Sequence, residues 1–372
     1  MRNPFVIHEI PVDGVFCNRQ KELKDLVNFA KNGINVVLYS PRRYGKTSLV
    51  KRVQHLIQKE GFLTVYCDLF GVTSVEDIAT KISKSLYKIV YSNEKLLNKF
   101  MRLIASFKPT IQPDPSGGVT ISVTKSTNLY GLDLLEDVLE SVSKIVNDNE
   151  LKLHIAFDEF QEITEIDNSL QIEAILRRYI QTFNISVMFV GSRRRILLDM
   201  FSNIKRPFYQ SANLYELKAL PYDELKDFIK KQFKQNGKTF PESLIDNILE
   251  VTKCHPYYSQ KYCYYVFDLA ENKVDEKVLK IAFNEMLLSE KPIYEAVIQG
   301  LSSKQIQLLR AIAIEPTKSP FAVEYMRKYN LGSISAIQNS IKKLQSLDLI
   351  EKKDSKLWML VDPILEIWLK EF

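Results

Sequence analysis

The sequence predicts an α/β fold: a parallel sheet with helices on both faces, followed by an all-helical segment and a small unit of three helices and a β-hairpin. Three observations predict it. Short apolar, β-branched runs alternate with helical-period segments as far as Leu220, the pattern of a buried parallel sheet. After Pro221 the strand-like runs stop and only helical periods follow. Near the end, the strand-like runs 349–353 and 357–360 flank a turn at Asp354, Ser355 and Lys356.

A chain of 372 residues is long enough for two or three domains. It is 45% hydrophobic and 26% charged, which is globular composition and excludes a disordered, collagenous or coiled-coil protein. No stretch approaches the roughly 18 apolar residues of a membrane span. Residues 1–16 lack the basic and apolar blocks of a signal peptide, so a cytoplasmic protein with no membrane partner is expected. Lys plus Arg number 51 against 45 Asp plus Glu, a net charge of +6 that permits a nucleic-acid surface without demanding one. Cys17, Cys67, Cys254 and Cys263 form no CxxC pair, and His8, His55, His154 and His255 do not sit beside them at zinc-finger spacing. The cysteines read as buried, reduced thiols.

Each element has its own signal. Leu23, Leu26, Val27 and Ala30 share one face of a helix over 22–30, and 34–39 is a β-branched strand. Helical period resumes over 48–53. Residues 64–68 form a second strand, and 75–91 a helix with Ser74 as N-cap. Pro109, Pro113, Pro115 and Gly117-Gly118 break the rhythm before the alternating run 119–123, so 107–126 reads as an inserted loop or hairpin. A helix over 132–146 precedes the buried strand 153–157, which ends on Asp158-Glu159. A helix over 169–182 precedes the strand 186–190, which ends on Gly191-Ser192. Helices at 223–236, 241–252, 257–271 and 275–289 make a helical lid. Helices at 304–314, 320–329 and 335–347, with the terminal hairpin, make a winged helix-turn-helix. The expected domains are 1–220, carrying the insertion near 107–126, then 221–295 and 296–372.

The segment Ser40, Pro41, Arg42, Arg43, Tyr44, Gly45, Lys46, Thr47, Ser48 joins a strand to a helix. A loop so placed aims backbone N–H groups and the positive helix end at an anion. Gly45 permits close backbone approach. Lys46 has the reach for terminal phosphates, and the Thr47 hydroxyl suits Mg²⁺. Ser40 stands where the consensus loop begins with Gly. A buried strand ending in two acids delivers carboxylates to the ligand edge of a parallel sheet. Asp158 is expected to hold Mg²⁺ and Glu159 to activate the attacking water. Ser192 is placed to hydrogen-bond a γ-phosphate or that water. Arg193, Arg194 and Arg195 could sense phosphate or serve as a finger toward a neighbour, but at least two of the three read as a solvated basic turn. Arg206, before Pro207-Phe208-Tyr209, is a candidate arginine finger.

These residues together resemble the archaeal-type ATPase family, within the STAND and AAA+ branch of P-loop NTPases. The matching pieces run in order along nearly the whole chain. They are Asn3-Pro4-Phe5, Phe16-Cys17-Asn18-Arg19 with Glu22-Leu23, Pro41 through Leu49, Phe157-Asp158-Glu159-Phe160-Gln161, Gly191-Ser192, Pro207-Phe208-Tyr209, His255-Pro256-Tyr257-Tyr258, and Asp362-Pro363 with Trp368. The resemblance implies an ATPase core, a lid and a winged helix. It implies that Phe16 to Arg19 enter the adenine pocket and that His255-Pro256 touch the nucleotide from the lid. Pro256 also suits the first turn of a helix. Cys254 stands where the family usually has Gly.

In the winged helix, Ser335, Gln338, Asn339, Lys342 and Lys343 lie outside an apolar stripe of Ile337, Ile341 and Leu344, and the wing carries Lys352, Lys353 and Lys356. The expected function is a switch that binds ATP with Mg²⁺ between core and lid, hydrolyses it to ADP, and repositions the winged helix against duplex DNA or a protein partner. Assembly into a homo-oligomer would supply an arginine in trans. The alternative is a nucleotide-binding, weakly hydrolysing module for DNA or protein interaction.

Overall fold

A computed structural model of the chain describes all residues except 1–2, 92–96, 99–105, 114–118, 127, 149, 183–184, 354 and 372. The residues group into two compact units. One holds Arg19–Ser40 and Lys46–Leu217; the other holds Met1–Asn18, Pro41–Gly45 and Lys218–Phe372.

In the first unit the strands run β1 (Val36–Tyr39), β2 (Leu63–Asp68), a separate antiparallel pair β3 (Phe107–Pro113) and β4 (Val119–Lys125), then β5 (Leu153–Asp158), β6 (Ile185–Gly191) and β7 (Asn213–Glu216). Five of them form a parallel sheet in the order β2-β5-β6-β1-β7. Every residue of β5 and β6 is buried, as central strands covered on two faces require. β7 is a mostly exposed edge.

Among the described residues six helices flank the sheet: α1 (Gln20–Lys31), α2 (Lys46–Gln58), α3 (Val75–Val90), α4 (Gly131–Asp148), α5 (Ser169–Thr182) and α6 (Arg194–Ser202). α3 starts where Ser74 Oγ accepts the Asp77 N–H at 3.1 Å. A ring cluster of Phe157, Phe160, Phe189, Phe201 and Phe208 fills the core near the ends of β5 and β6, with Phe160 and Phe189 centroids 4.6 Å apart. Each such fully buried ring contributes about 2 kcal/mol, and together they fix the chain on either side of Glu159.

The second unit carries α7 (Tyr222–Gln235), α8 (Glu242–Thr252), α9 (Pro256–Leu269) and α10 (Glu276–Gln299). Phe5 joins its core against Phe228, Phe233 and Phe267, and Asn3 Nδ2 donates to the Tyr264 carbonyl at 3.0 Å. The end of the chain is a winged helix. It comprises α11 (Ser303–Ile314), opened by a Ser302/Gln305 capping box, α12 (Val323–Lys328), α13 (Ile334–Ser346), the antiparallel pair β8 (Ile350–Lys352) and β9 (Trp358–Leu360), and α14 (Pro363–Glu371). Ile337, Ile341 and Leu344 of α13 are buried, while Ser335, Gln338, Asn339, Lys342 and Lys343 are exposed.

Several elements differ from the sequence reading. β7 is four residues with no apolar alternation, too little pattern to read. α6 begins at Arg194, so only Arg193 of the basic triplet lies outside the helix. α10 continues ten residues beyond Ser289 through Pro292. A helix-interior proline is costly, and here burial of Glu290 and Tyr294 on either side offsets it. α12 omits residues 320–322 and Tyr329. α14 is an additional helix, started by Asp362, whose Oδ1 accepts the N–H groups of Ile364 and Leu365 at 2.9 Å. The insertion is a paired hairpin, but its Pro115 and Gly117-Gly118 turn lies outside the described residues, as does Asp354 of the wing.

Candidate functional site

β5, β6 and β1 are neighbours in the sheet and all parallel, so their C-terminal ends meet along one edge. β1 leads into the loop 40–45 and then α2. β5 ends on Asp158-Glu159, and β6 on Gly191-Ser192.

Lys46 is 7% exposed, and its Nζ donates to the Ser40 carbonyl at 3.1 Å and lies 3.2 Å from Ser40 Oγ. Ser40 is not among the left-handed residues, so it fits the consensus glycine position without backbone strain. The left-handed positions are Arg43 (φ 64°) and Gly45 (φ 84°). Nothing lies within 4 Å of where a Cβ on Gly45 would be, so it is the dihedral that favours glycine there. Pro41 and Ser48 are buried, and Arg42 is exposed.

The Thr47 hydroxyl donates to Asp158 Oδ2 at 2.9 Å, bringing together two residues 111 positions apart. The Tyr66 hydroxyl donates to the same oxygen, and the Glu159 N–H to Asp158 Oδ1 at 2.9 Å. Burial, then the charge of Asp158, pushes the Tyr66 phenol well above its ordinary value. Because Thr47 gives its proton to Asp158, its lone pairs face away from the carboxylate. A hydroxyl and a carboxylate so arranged fit a hard, oxygen-seeking cation. Among the described residues no cluster of three or more His, Cys, Asp or Glu suits a metal.

Glu159 is held in the left-handed region (φ 49°), a conformation that costs a non-glycine residue about 1 kcal/mol and recurs at functional sites. Its carboxylate accepts the Ser192 hydroxyl at 3.0 Å and the Gln161 amide. Gln161 is 1% exposed, and its Oε1 has no partner among the described residues. A Cβ on Gly191 would lie 2.0 Å from that oxygen, so glycine is what admits Gln161.

Other predicted residues lie in the second unit. The His255 ring packs edge-on against Tyr44 of the loop, 4.7 Å between centroids, and at the same separation from Tyr258. Burial, with Arg43 nearby, pushes its imidazole down to about 3, and its Nδ1 has no partner among the described residues. His255 caps α9 with Pro256 at the first turn. Cys254 sits at φ 54°, which explains why glycine is favoured before His-Pro. Arg43 Nη1 reaches Glu290 Oε2 at 3.1 Å and its guanidinium stacks 4.3 Å over the Tyr257 ring. Lys261 pairs with the same carboxylate, and the Tyr257 hydroxyl donates to it at 3.1 Å. Burial opposes ionisation of Glu290, but Lys261 and Arg43 outweigh it and hold its carboxyl below the ordinary range.

Phe16 is half-buried in an irregular segment of the second unit, and Arg19, in the first, precedes α1 and pairs with Glu22 at 2.7 Å. Arg193 pairs with Glu165 at 2.9 Å. Arg206 pairs with Glu173, whose buried side chain burial pushes up to about 7 despite that cation. In this arrangement Arg206 is anchored within its own unit. Sequence reasoning missed Tyr66, Glu290 and Lys261. A tyrosine inside a buried strand was the only available signal for the first. Nothing local marks the other two.

The strand order, the Lys46-Thr47 loop after β1 and the acids after β5 define a P-loop NTPase of ATPase type. Residues 16–261 match the family described as the ATPase domain predominantly from Archaea, and residues 292–371 a probable winged helix domain. The chain belongs to that archaeal ATPase family. A Walker-type ATPase of Pyrococcus abyssi is similar in structure, with TM-score 0.68 and 16% identity, over 95% of this chain and 96% of that one. The ORC2 protein of Aeropyrum pernix, solved in ADPNP-ADP complexes, aligns with TM-score 0.63 and 18% identity, over 100% of this chain and 96% of that one. The ORC1 protein of the same organism, solved in complex with DNA, aligns with TM-score 0.50 and 13% identity, over 100% and 96%. No curated protein matches the sequence. Among the described residues no helix is long and apolar enough to cross a membrane.

Proposed function

We propose that the chain binds ATP with Mg²⁺ at Lys46, Thr47 and Asp158 and hydrolyses it, and that nucleotide state is passed to the winged helix, which contacts duplex DNA. The observation that carries the reading is the hydrogen bond from Thr47 to Asp158 with Glu159 beside it. Lys46 would leave Ser40 for the terminal phosphates, a cation exchanging a neutral acceptor for a charged one. Mg²⁺, held by Thr47 and Asp158, supplies charge neutralisation on the phosphate oxygens. Glu159 takes the proton of the attacking water. Ser192, now bonded to Glu159, would orient that carboxylate or the γ-phosphate.

Coupling to the winged helix is supported inside the second unit. Arg43 of the loop pairs with Glu290 on α10, and Tyr294 of the same helix reaches Asp362 at the start of α14. Tyr258, next to Tyr257, donates to Asp362 as well. The DNA reading is supported by the exposed Lys342, Lys343, Lys352, Lys353 and Lys356 of the winged helix.

The test is ATP hydrolysis by the purified chain, with Lys46→Ala as control, with and without duplex DNA. Turnover that needs Lys46 and rises with DNA is the expected result. Turnover indifferent to DNA removes the DNA arm and points to a protein partner. Binding without turnover leaves a weakly hydrolysing module.

A further inference from the structure

We propose that Tyr66 is a positioning residue for Asp158, and that the affinity of the site for Mg²⁺ beside a nucleotide depends on its hydroxyl. The inference rests on the Mg²⁺-nucleotide reading above and adds a residue that neither the loop nor the acidic pair contains.

Tyr66 pairs with Ala156 in the register of β2 and β5. Side chains two apart share a face of a strand, so Asp158 lies on the same face as Ala156. The small Ala156 leaves room for the tyrosine to lean along the sheet toward the strand end. The Tyr66 and Thr47 hydroxyls both donate to Asp158 Oδ2, and the Glu159 N–H takes Oδ1. A carboxylate offers about four lone-pair positions. Three are filled here, so the group cannot turn, and one position on Oδ1 remains open among the described residues. The same lock keeps the Thr47 proton on Asp158 and its lone pairs available to the metal. Lys51 of α2 lies 5.1 Å above the Tyr66 ring and confines it from the helix side. A phenylalanine would fill the same space in the sheet without the lock.

The experiment compares wild type and Tyr66→Phe for binding of a fluorescent ADP, first in EDTA and then across a Mg²⁺ titration, with Mn²⁺ binding followed by paramagnetic resonance. Metal-free ADP affinity is expected to stay within about two-fold, which also certifies an intact fold. The Mg²⁺ concentration for half-saturation is expected to rise about five- to ten-fold, roughly the net worth of one hydrogen bond. An unchanged Mg²⁺ midpoint overturns the proposal and leaves the nucleotide reading standing. A parallel loss of metal-free affinity assigns Tyr66 a structural role and overturns it too. If wild type itself binds ADP with no response to Mg²⁺, the reading beneath the proposal falls with it.

Discussion

Arg43, in the phosphate loop, is ion-paired at 3.1 Å with Glu290, whose side chain has no exposed surface. The same carboxylate carries Lys261, itself 7% exposed, so one buried acid pairs with two cations. Removing the acid leaves a buried lysine without a counter-charge. Removing Arg43, whose side chain is 39% exposed, leaves Glu290 still paired with Lys261. Glu290→Gln is therefore expected to destabilise the second unit by about 3–5 kcal/mol, and Arg43→Ala by less than about 1 kcal/mol. Urea unfolding followed by the fluorescence of Trp358 and Trp368 reads this unit. Equal losses would contradict the assignment of Glu290 as the hub.

Gly191 and Gln161 form a reciprocal pair. Gly191→Ala places a Cβ 2.0 Å from Gln161 Oε1 as it stands, so the amide must leave Glu159 or the strand must shift. The expected cost is about 1–3 kcal/mol. Gln161→Ala in the same chain removes the clash, and thermal unfolding of the double variant should recover most of the loss. A double variant no more stable than Gly191→Ala alone would show that the glycine is required for another reason.

His154 is 1% exposed in β5, with Nδ1 3.3 Å from Gln54 Nε2, and burial pushes its imidazole down to about 4. The unfolded chain takes up this proton near 6.5, so between 6.5 and 4 the unfolded state binds more protons than the folded one. Stability is full above 6.5 and falls on acidification, by about 1.4 kcal/mol per pH unit. The difference between wild type and His154→Leu in urea isolates this group from the opposing Glu173. Moving from pH 7 to pH 5 should cost wild type about 2 kcal/mol more than the variant. The same pH dependence in both would place His154 outside the linkage.

Much of the fold is legible because periodicity reports burial. β5 and β6 are buried at every position and mostly apolar, and α3 and α5 carry clean helical stripes, so their existence and order follow from the sequence. β7 is not legible, because an exposed edge strand of four residues buries too little to need a pattern. The end of α10 is hidden by Pro292, a local signal that tertiary packing overrides. At the site, Ser40, Lys46, Thr47, Asp158, Glu159 and Ser192 stand out because strand ends and turns mark them locally. Tyr66 and Glu290 do not, since their roles are set by strand register and by contacts 92 and 247 residues away.

The most direct test is single-turnover cleavage of Mg²⁺-ATP by wild type and Glu159→Gln, with ATP affinity measured on both. Glu159 accepts Ser192 and Gln161, and the amide of the variant still offers them an acceptor, so folding and ATP binding should persist. Wild type is expected to cleave ATP, and Glu159→Gln to bind it within about three-fold of wild type and cleave it at least about 100-fold more slowly. A variant that cleaves as fast as wild type would contradict the assignment of Glu159 as the base, and with it the site as drawn here.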